Sequence, residues 1–89
     1  MIYDGSNITI TLTANVNVHN PEVAEIYYKK PSGQVGVWTA TVQNNHDLVY
    51  STSVNDVDLP GIWILQGKVI KSGSTYWTSV VQMIVEQHL

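Results

Sequence analysis

The sequence predicts an all-β fold, an immunoglobulin-like antiparallel β-sandwich of about seven strands formed as one domain by residues 1–89. Three observations carry that expectation. Residues 7–18, NITITLTANVNV, alternate without a break: Ile8, Ile10, Leu12, Ala14, Val16 and Val18 stand against Thr9, Thr11, Thr13, Asn15 and Asn17. A period of two is the pattern of a strand with one wet face. Two longer stretches, 23–42 and 62–85, each set a glycine-containing turn between two arms, as hairpins do. Nowhere do apolar residues recur at helical spacing over a useful length. The chain has no cysteine and so lacks the inter-sheet cystine of antibody domains. The expectation is therefore a general sandwich, with a partly open barrel as the alternative.

Taken in order, residues 1–6, MIYDGS, read as a short apolar start and a turn. The 7–18 segment follows, either one long strand or two joined by a bend near Ala14-Asn15. His19-Asn20-Pro21 ends it, because Pro21 has no N–H to give to a ladder. The 23–42 ribbon turns at Lys30-Pro31-Ser32-Gly33. Pro31 presets the first central φ of a type I turn, Gly33 takes the positive φ that follows, and a three-residue loop closes with a small bulge. Lys30 then faces Gln34, Tyr28 faces Gly36, Ile26 faces Trp38 and Ala24 faces Ala40, all on the core face, with Tyr28 lying across bare Gly36. Glu25, Tyr27, Lys29, Val35, Val37 and Thr39 take the other face. Asn44-Asn45-His46-Asp47 is a loop, residues 48–54 are another strand, and residues 55–61 are a longer turn with Asp and Pro-Gly punctuation. In the second ribbon Lys71-Ser72-Gly73 repeats the chemistry of Pro31-Ser32-Gly33. That register sets Gly67 against Trp77, Leu65 against Ser79 and Trp63 against Val81. The inner face is then Trp63, Leu65, Val69, Trp77, Val81, Met83 and Val85.

A chain of 89 residues buries a small core and holds little stability in reserve. Without cysteine no disulfide adds to it, and nothing points to an oxidising compartment. A metal or association with other subunits are the remaining supports. Charged residues make up 12% of the chain, about half the usual share. A surface of Thr, Ser, Asn and Gln suits packing against other protein. The net charge of −3, with four basic residues, speaks against nucleic acid, which demands a basic stripe. No apolar run is long enough to span a membrane, and no signal peptide opens the chain. Met1 leads directly into the fold, so the expectation is a protein made and used inside the cell or assembled into something there.

Few residues suggest chemistry. His19, His46 and His88 lie outside short ligand spacing of one another and read as surface histidines. No elbow motif marks a serine for Ser-His-Asp catalysis. No catalytic residue, cofactor or metal is assigned, and the chain is not expected to be an enzyme. Asn55, Asp56 and Asp58 could offer oxygens to a calcium ion, but the spacing and closing Glu of an EF-hand are missing. Turn bonding of these side chains to nearby backbone is the simpler reading. Tyr27 and Tyr76 raise a glycan platform as an alternative function. The three tryptophans, in a chain with no phenylalanine, are expected to fill the core, so Trp38→Ala should cost about 3–5 kcal/mol. The outward positions are more informative. Tyr27, Val35 and Val37 on the first ribbon, and Ile62, Ile64, Val80 and Ile84 on the second, are too apolar for a plain solvent face. Such patches mark contact surfaces, unless a further strand or the N-terminal segment covers them.

Two stretches also carry a resemblance. AEIYYKKPSGQVGVWTATV, followed by DLPGIWILQGKVIKSG, resembles small β-sandwich proteins encoded in the structural gene clusters of tailed bacteriophages. These share a strand ending in KKP-x-G, a strand with a Trp, and then a turn and G-x-W-x-L-Q. The family includes baseplate collar proteins that attach side tail fibres, and similar domains begin some upper baseplate proteins. The resemblance runs from about Val23 onward and rests on turn and core residues. It implies a non-enzymatic virion structural protein, made in the host cytoplasm and placed on the tail or neck collar or as a head decoration. It would bind other virion proteins and further copies of itself. Pairing of strand edges between copies or with a partner is a physical route to that assembly. The alternative expectation is a module displayed on the virion that binds surface glycans.

Overall fold

The computed structural model describes residues 2–53 and 55–87, and all of the regular structure in them is β. Among these residues nine strands form: β1 (Ile2–Tyr3), β2 (Thr9–Thr13), β3 (Val23–Lys29), β4 (Val35–Thr39), β5 (Thr41–Gln43), β6 (Asp47–Ser51), β7 (Gly61–Lys71), β8 (Ser74–Trp77) and β9 (Val81–Glu86). The larger sheet runs β1-β9-β7-β3-β4, with β8 also on β7, and the smaller runs β2-β6-β5. Pairing is antiparallel everywhere except between β1 and β9, where Ile2 lies parallel to Val85. The all-β expectation holds, with more and shorter strands than expected and one parallel pair.

The two sheets face each other across one core. Ile10, Leu12, Ala14, Val18 and Leu48 enter it from the side of the smaller sheet. Ile26, Trp38, Trp63, Leu65, Val69, Met83 and Val85 enter from the larger one, and Val57 plugs it from a loop. Trp38 stacks between Tyr28 and Tyr50, with ring centroids 4.5 and 5.0 Å away, and lies 6.2 Å from Trp63. Trp63 is fully buried, and its Nε1–H donates to the Leu59 carbonyl at 2.9 Å. The indole thus brings its polar atom into the core already bonded.

The first ribbon forms as its sequence predicts. Lys30 N–H donates to Gln34 O, Gly33 N–H donates to Lys30 O, and Gly33 takes φ +93°. Ile26 opposes Trp38 and Tyr28 opposes Gly36, where a Cβ would run into the Tyr28 ring. The ribbon does not stay in one sheet. Ala40 N–H makes a bond to Ala24 O, and Thr41 then pairs with Val49 in the smaller sheet. One continuous run of sequence therefore serves both layers, and a Gln43–His46 turn with Asn44 and Asn45 at positive φ leads on to β6.

Two expectations fail. The 7–18 segment does bend near Ala14-Asn15, as one of its two readings had it, but it is strand only over Thr9–Thr13 and no second strand follows the bend. Ala14 N–H and Val18 N–H donate to the adjacent carbonyls of His46 and Asn45, so residues 15–17 loop out between two anchors. Ala14 and Val18 are buried while Val16 is exposed. The apolar–polar alternation of the sequence continues past the bend, but burial does not follow it, because no partner strand is there to continue the ladder.

The second failure is the register of the 62–85 ribbon. Its turn has two residues, Ser72 at φ +52° and Gly73 at φ +78°, closed by the pair Lys71–Ser74. That is the backbone of a type I′ hairpin. Lys68 therefore opposes Trp77, and Thr78 N–H bonds to Gly67 O. One residue of slip turns every side chain over, so Trp77 is on the outside and Thr78 is buried. Between β8 and β9 the register moves on by one residue, which makes a bulge. Leu65 then opposes Val81 and Trp63 opposes Met83. Met83 and Val85 reach the core as expected, and Val81 shares their face opposite Leu65 while staying 42% exposed; Trp77 does not face inward. The glycine-against-aromatic pairing of the first ribbon is not repeated. The space over Gly67 is filled by Thr78 and Leu48, whose methyl carbons would lie 2.8 and 2.9 Å from an added Cβ.

Candidate functional site

β3 and β7 pair directly, and that single fact decides where the outward residues go. The outer sides of the two ribbons are one surface, the outer face of the larger sheet. Reading across the register, Ile84 lies beside Ile62. The next row is Gln82, Ile64, Lys29 and Val35. Then come Gln66, Tyr27 and Val37, and then Trp77, Lys68, Glu25 and Thr39. All seven residues expected on contact surfaces, Tyr27, Val35, Val37, Ile62, Ile64, Val80 and Ile84, are exposed here, Val35 by 70% and Ile84 by 63%. Val80 joins Tyr27, Lys29, Val35, Ile64 and Gln66 around a shallow hollow of about 160 Å³. Among the described residues no strand crosses this face, and the N-terminal segment pairs at the sheet edge instead.

One corner of the face has a different chemistry. Trp77 is 53% exposed and its ring meets that of Tyr27 at 5.6 Å and 52°. The Lys68 ammonium lies over both, 5.8 Å from the Tyr27 centroid and 5.5 Å from that of Trp77. An ammonium over two aromatic faces is held by their quadrupoles. Gln66 Nε2 donates to the Thr78 carbonyl across the nearby bulge. Trp77 and Lys68 are the surface residues that sequence reasoning missed. The signal was available in Ser72-Gly73, a two-residue turn pair, had it been given preference over the three-residue loop of the first ribbon. Tyr27 and Tyr76 lie on opposite faces of the sheet, since Tyr76 opposes inward-facing Val69 and Tyr27 opposes Gln66. They cannot form one platform.

The other candidates do not converge. His19 and His46 are exposed on separate loops, and His88 lies outside the described residues. Among the described residues no three His, Asp or Glu side chains gather as a metal would require. Asp56 is engaged instead: its Oδ2 accepts from Tyr50 Oη at 2.8 Å, Ser53 N–H at 2.8 Å and Ser53 Oγ at 3.1 Å. Partial burial works against the carboxylate, but the Ser53 amide, the two hydroxyls and the field of Lys30 outweigh it and hold its pKa below the ordinary value. Tyr50 is pushed up, first by burial and then by its bond to the Asp56 carboxylate. Asp58 pairs with Lys30 at 3.0 Å, and the same ammonium lies 5.6 Å from the Trp63 centroid. The loop therefore uses its carboxylates to fasten itself down. A broader, open hollow of about 540 Å³ lies where the chain changes sheets, lined by His19, Glu22, Glu25, Thr39 and Thr41. Glu22 there accepts the Ser72 amide at 3.0 Å.

Comparison with protein-family models, with curated proteins and with solved structures gives no match.

Proposed function

We propose that this protein is a non-enzymatic structural subunit of a tailed-bacteriophage particle. In this reading it is an immunoglobulin-like sandwich made in the host cytoplasm, and it assembles at the tail or neck collar or on the head through contacts with virion proteins and with further copies of itself. One observation carries the proposal. Seven apolar side chains that lie on two ribbons of the sequence meet on one sheet face, and nothing among the described residues covers them. Contiguous apolar faces of this kind are contact surfaces in soluble proteins, and a domain this small has stability to gain from covering one. The likeness of residues 24–42 and 58–73 to phage sandwich proteins supplies the setting.

The test is electron microscopy of assembled particles, combined with reconstitution using the purified protein and its Val37→Lys variant. Val37 is exposed, so the substitution leaves the core alone. The expected result is sandwich density on the particle with the unaltered protein, and none with the variant. Particles to which neither form adds density would defeat the proposal.

Trp77 favours a second reading. An exposed indole beside Tyr27 and Lys68 offers a stacking surface and polar neighbours to a sugar ring. Binding on a glycan array that Trp77→Ala abolishes would support a surface-glycan module, and an empty array would remove it.

A further inference from the structure

We infer that the occupant of the outer face is a second copy of this chain, packed face to face across a two-fold axis that runs along the strands between β3 and β7. The inference rests on the reading of this face as a contact surface and names what covers it.

Area is the first argument. Four strands about 4.8 Å apart, crossed by four rows about 6.7 Å apart, make a face of about 500 Å² on each copy before the relief of the side chains is counted. Two such faces together remove about 1,000 Å² or more from water, about the least that a biological interface buries. Aligned packing of two sheet faces is also one of the stable ways for sheets to meet.

Charge pattern is the second argument, and it selects a copy of the same chain. Within the four rows the charged residues are Glu25 and Lys68, which share a row, and Lys29. The face is centred on the β3–β7 pair, with β4 on one side and β8 and β9 on the other. A two-fold along that centre lays β7 over β3 of the second copy and β8 over its β4. Lys68 then meets Glu25 of the second copy, and Glu25 meets its Lys68. Trp77 falls on Thr39 and Gln66 on Tyr27. In the next row Ile64 falls under the aliphatic stem of Lys29, a pairing that long cationic side chains make readily. Like charges are not opposed anywhere in these rows. The two symmetry-related Lys68–Glu25 meetings fix register and suppress other alignments.

The experiment is sedimentation velocity on the purified chain at high micromolar concentration, with Glu25→Lys and Lys68→Glu made separately and their melting temperatures recorded. The unaltered chain should sediment as a dimer. Each variant alone sets like charges against one another across the axis, so it should dimerise about tenfold more weakly or worse. An equimolar mixture should restore the dimer. In the mixed pair the lysine introduced at position 25 of one variant meets the glutamate introduced at position 68 of the other. The native Lys68 of the first likewise meets the native Glu25 of the second. Contacts inside one chain cannot be repaired by mixing, so the rescue reads the interface alone. Val35→Lys, at a well-exposed position of the same face, should also give monomer and stands in if either charge variant fails to melt cooperatively. A monomeric unaltered chain overturns the inference, as does a mixture that remains monomeric. Should the chain be monomeric while Val37→Lys still blocks addition to particles, the second copy is ruled out and the particle-contact reading survives.

Discussion

The two ribbons have almost the same turn residues and end with opposite outcomes. In the first, Pro31-Ser32-Gly33 makes a three-residue loop, and Trp38 points into the core. In the second, Ser72-Gly73 makes a two-residue loop after Lys71, and Trp77 points out. Proline decides between them. Its ring holds φ near −65° and cannot enter the left-handed region, so Pro31 commits the first turn to a right-handed start and leaves the positive φ to Gly33. Position 71 has no such lock. Ser72 and Gly73 can both take positive φ, which matches the twist of the strands they join. One residue fewer in the loop exchanges the two faces of β8 and converts an expected core tryptophan into a surface one.

The largest effect expected from this contrast is between the tryptophans. Trp63→Ala and Trp38→Ala should each cost about 3–5 kcal/mol. For a domain of this size that lowers the melting temperature by about 12 °C or more and uses much of the stability such a domain has. Trp63→Ala also strips the Leu59 carbonyl of its donor. Trp77→Ala, which removes only surface contacts with Tyr27 and Lys68, should stay within about 1 kcal/mol. Thermal unfolding followed by circular dichroism checks all three. A Trp77 cost equal to that of Trp63 would break the contrast.

That contrast also shows how much of the fold could be read from residues alone. Ile26, Trp38 and the register from Ala24 to Ala40 were legible because Pro31 left one backbone solution, whereas the passage of Thr41 and Val42 into the smaller sheet was not. The inner positions Trp63, Leu65, Val69, Met83 and Val85 were legible because period two survives small errors of register. Trp77 was not, because a one-residue change in loop length reverses parity along β8; the bulge reverses it again, so Val81 returns to the inner face opposite Leu65. The shortening of the first strand was hidden for another reason. Its bend is made by bonds to His46 and Asn45, far away in sequence. The seven outward residues were each legible, but their union into one face was not. It depends on β3 pairing with β7, which no local pattern specifies.

Glycine separates the ribbons at the next level of effect. Gly67 lies under Thr78 and Leu48, whose methyl carbons stand 2.8 and 2.9 Å from a built Cβ. The Thr78 hydroxyl also accepts the Gly67 N–H at 2.8 Å. Gly67→Ala should therefore cost about 1–3 kcal/mol by overpacking, read as a lowered denaturation midpoint at unchanged slope. Were the second ribbon in the register of the first, Gly67 would face Trp77 and Thr78 would be outside. In that case Thr78→Val would be neutral. Here it removes the acceptor of a buried amide and should cost about 1–3 kcal/mol.

Acid should act on the first ribbon more than on the second. Tyr50, which stacks on Trp38 at 5.0 Å, is held by the Asp56 carboxylate. The folded pKa of Asp56 is lowered from its ordinary value. Its contribution to stability is then complete above the unfolded pKa, and it is lost as pH falls through the lowered folded value. Melting temperature should fall as the solution is taken below about pH 4. Asp56→Asn should cost about 1 kcal/mol at neutral pH and flatten that part of the acid profile. A profile that Asp56→Asn leaves unchanged would place the acid sensitivity elsewhere in the molecule.

The smallest expected effect tests the turn itself. Ser72 holds φ +52°, a conformation that costs most residues energy but that asparagine enters readily. Asn-Gly is the strongest two-residue sequence for a type I′ hairpin. Ser72→Asn should therefore stabilise the protein by somewhat under about 1 kcal/mol, as turn optimisation commonly does, with Trp77 emission still that of an exposed indole. Ser32→Asn should bring no such gain, because Ser32 is not among the positive-φ residues and Gly33 already carries that position in the first loop. A gain at both positions would mean that the two turns share one geometry. A gain at Ser72 alone would show that only the second turn holds its serine in the left-handed region.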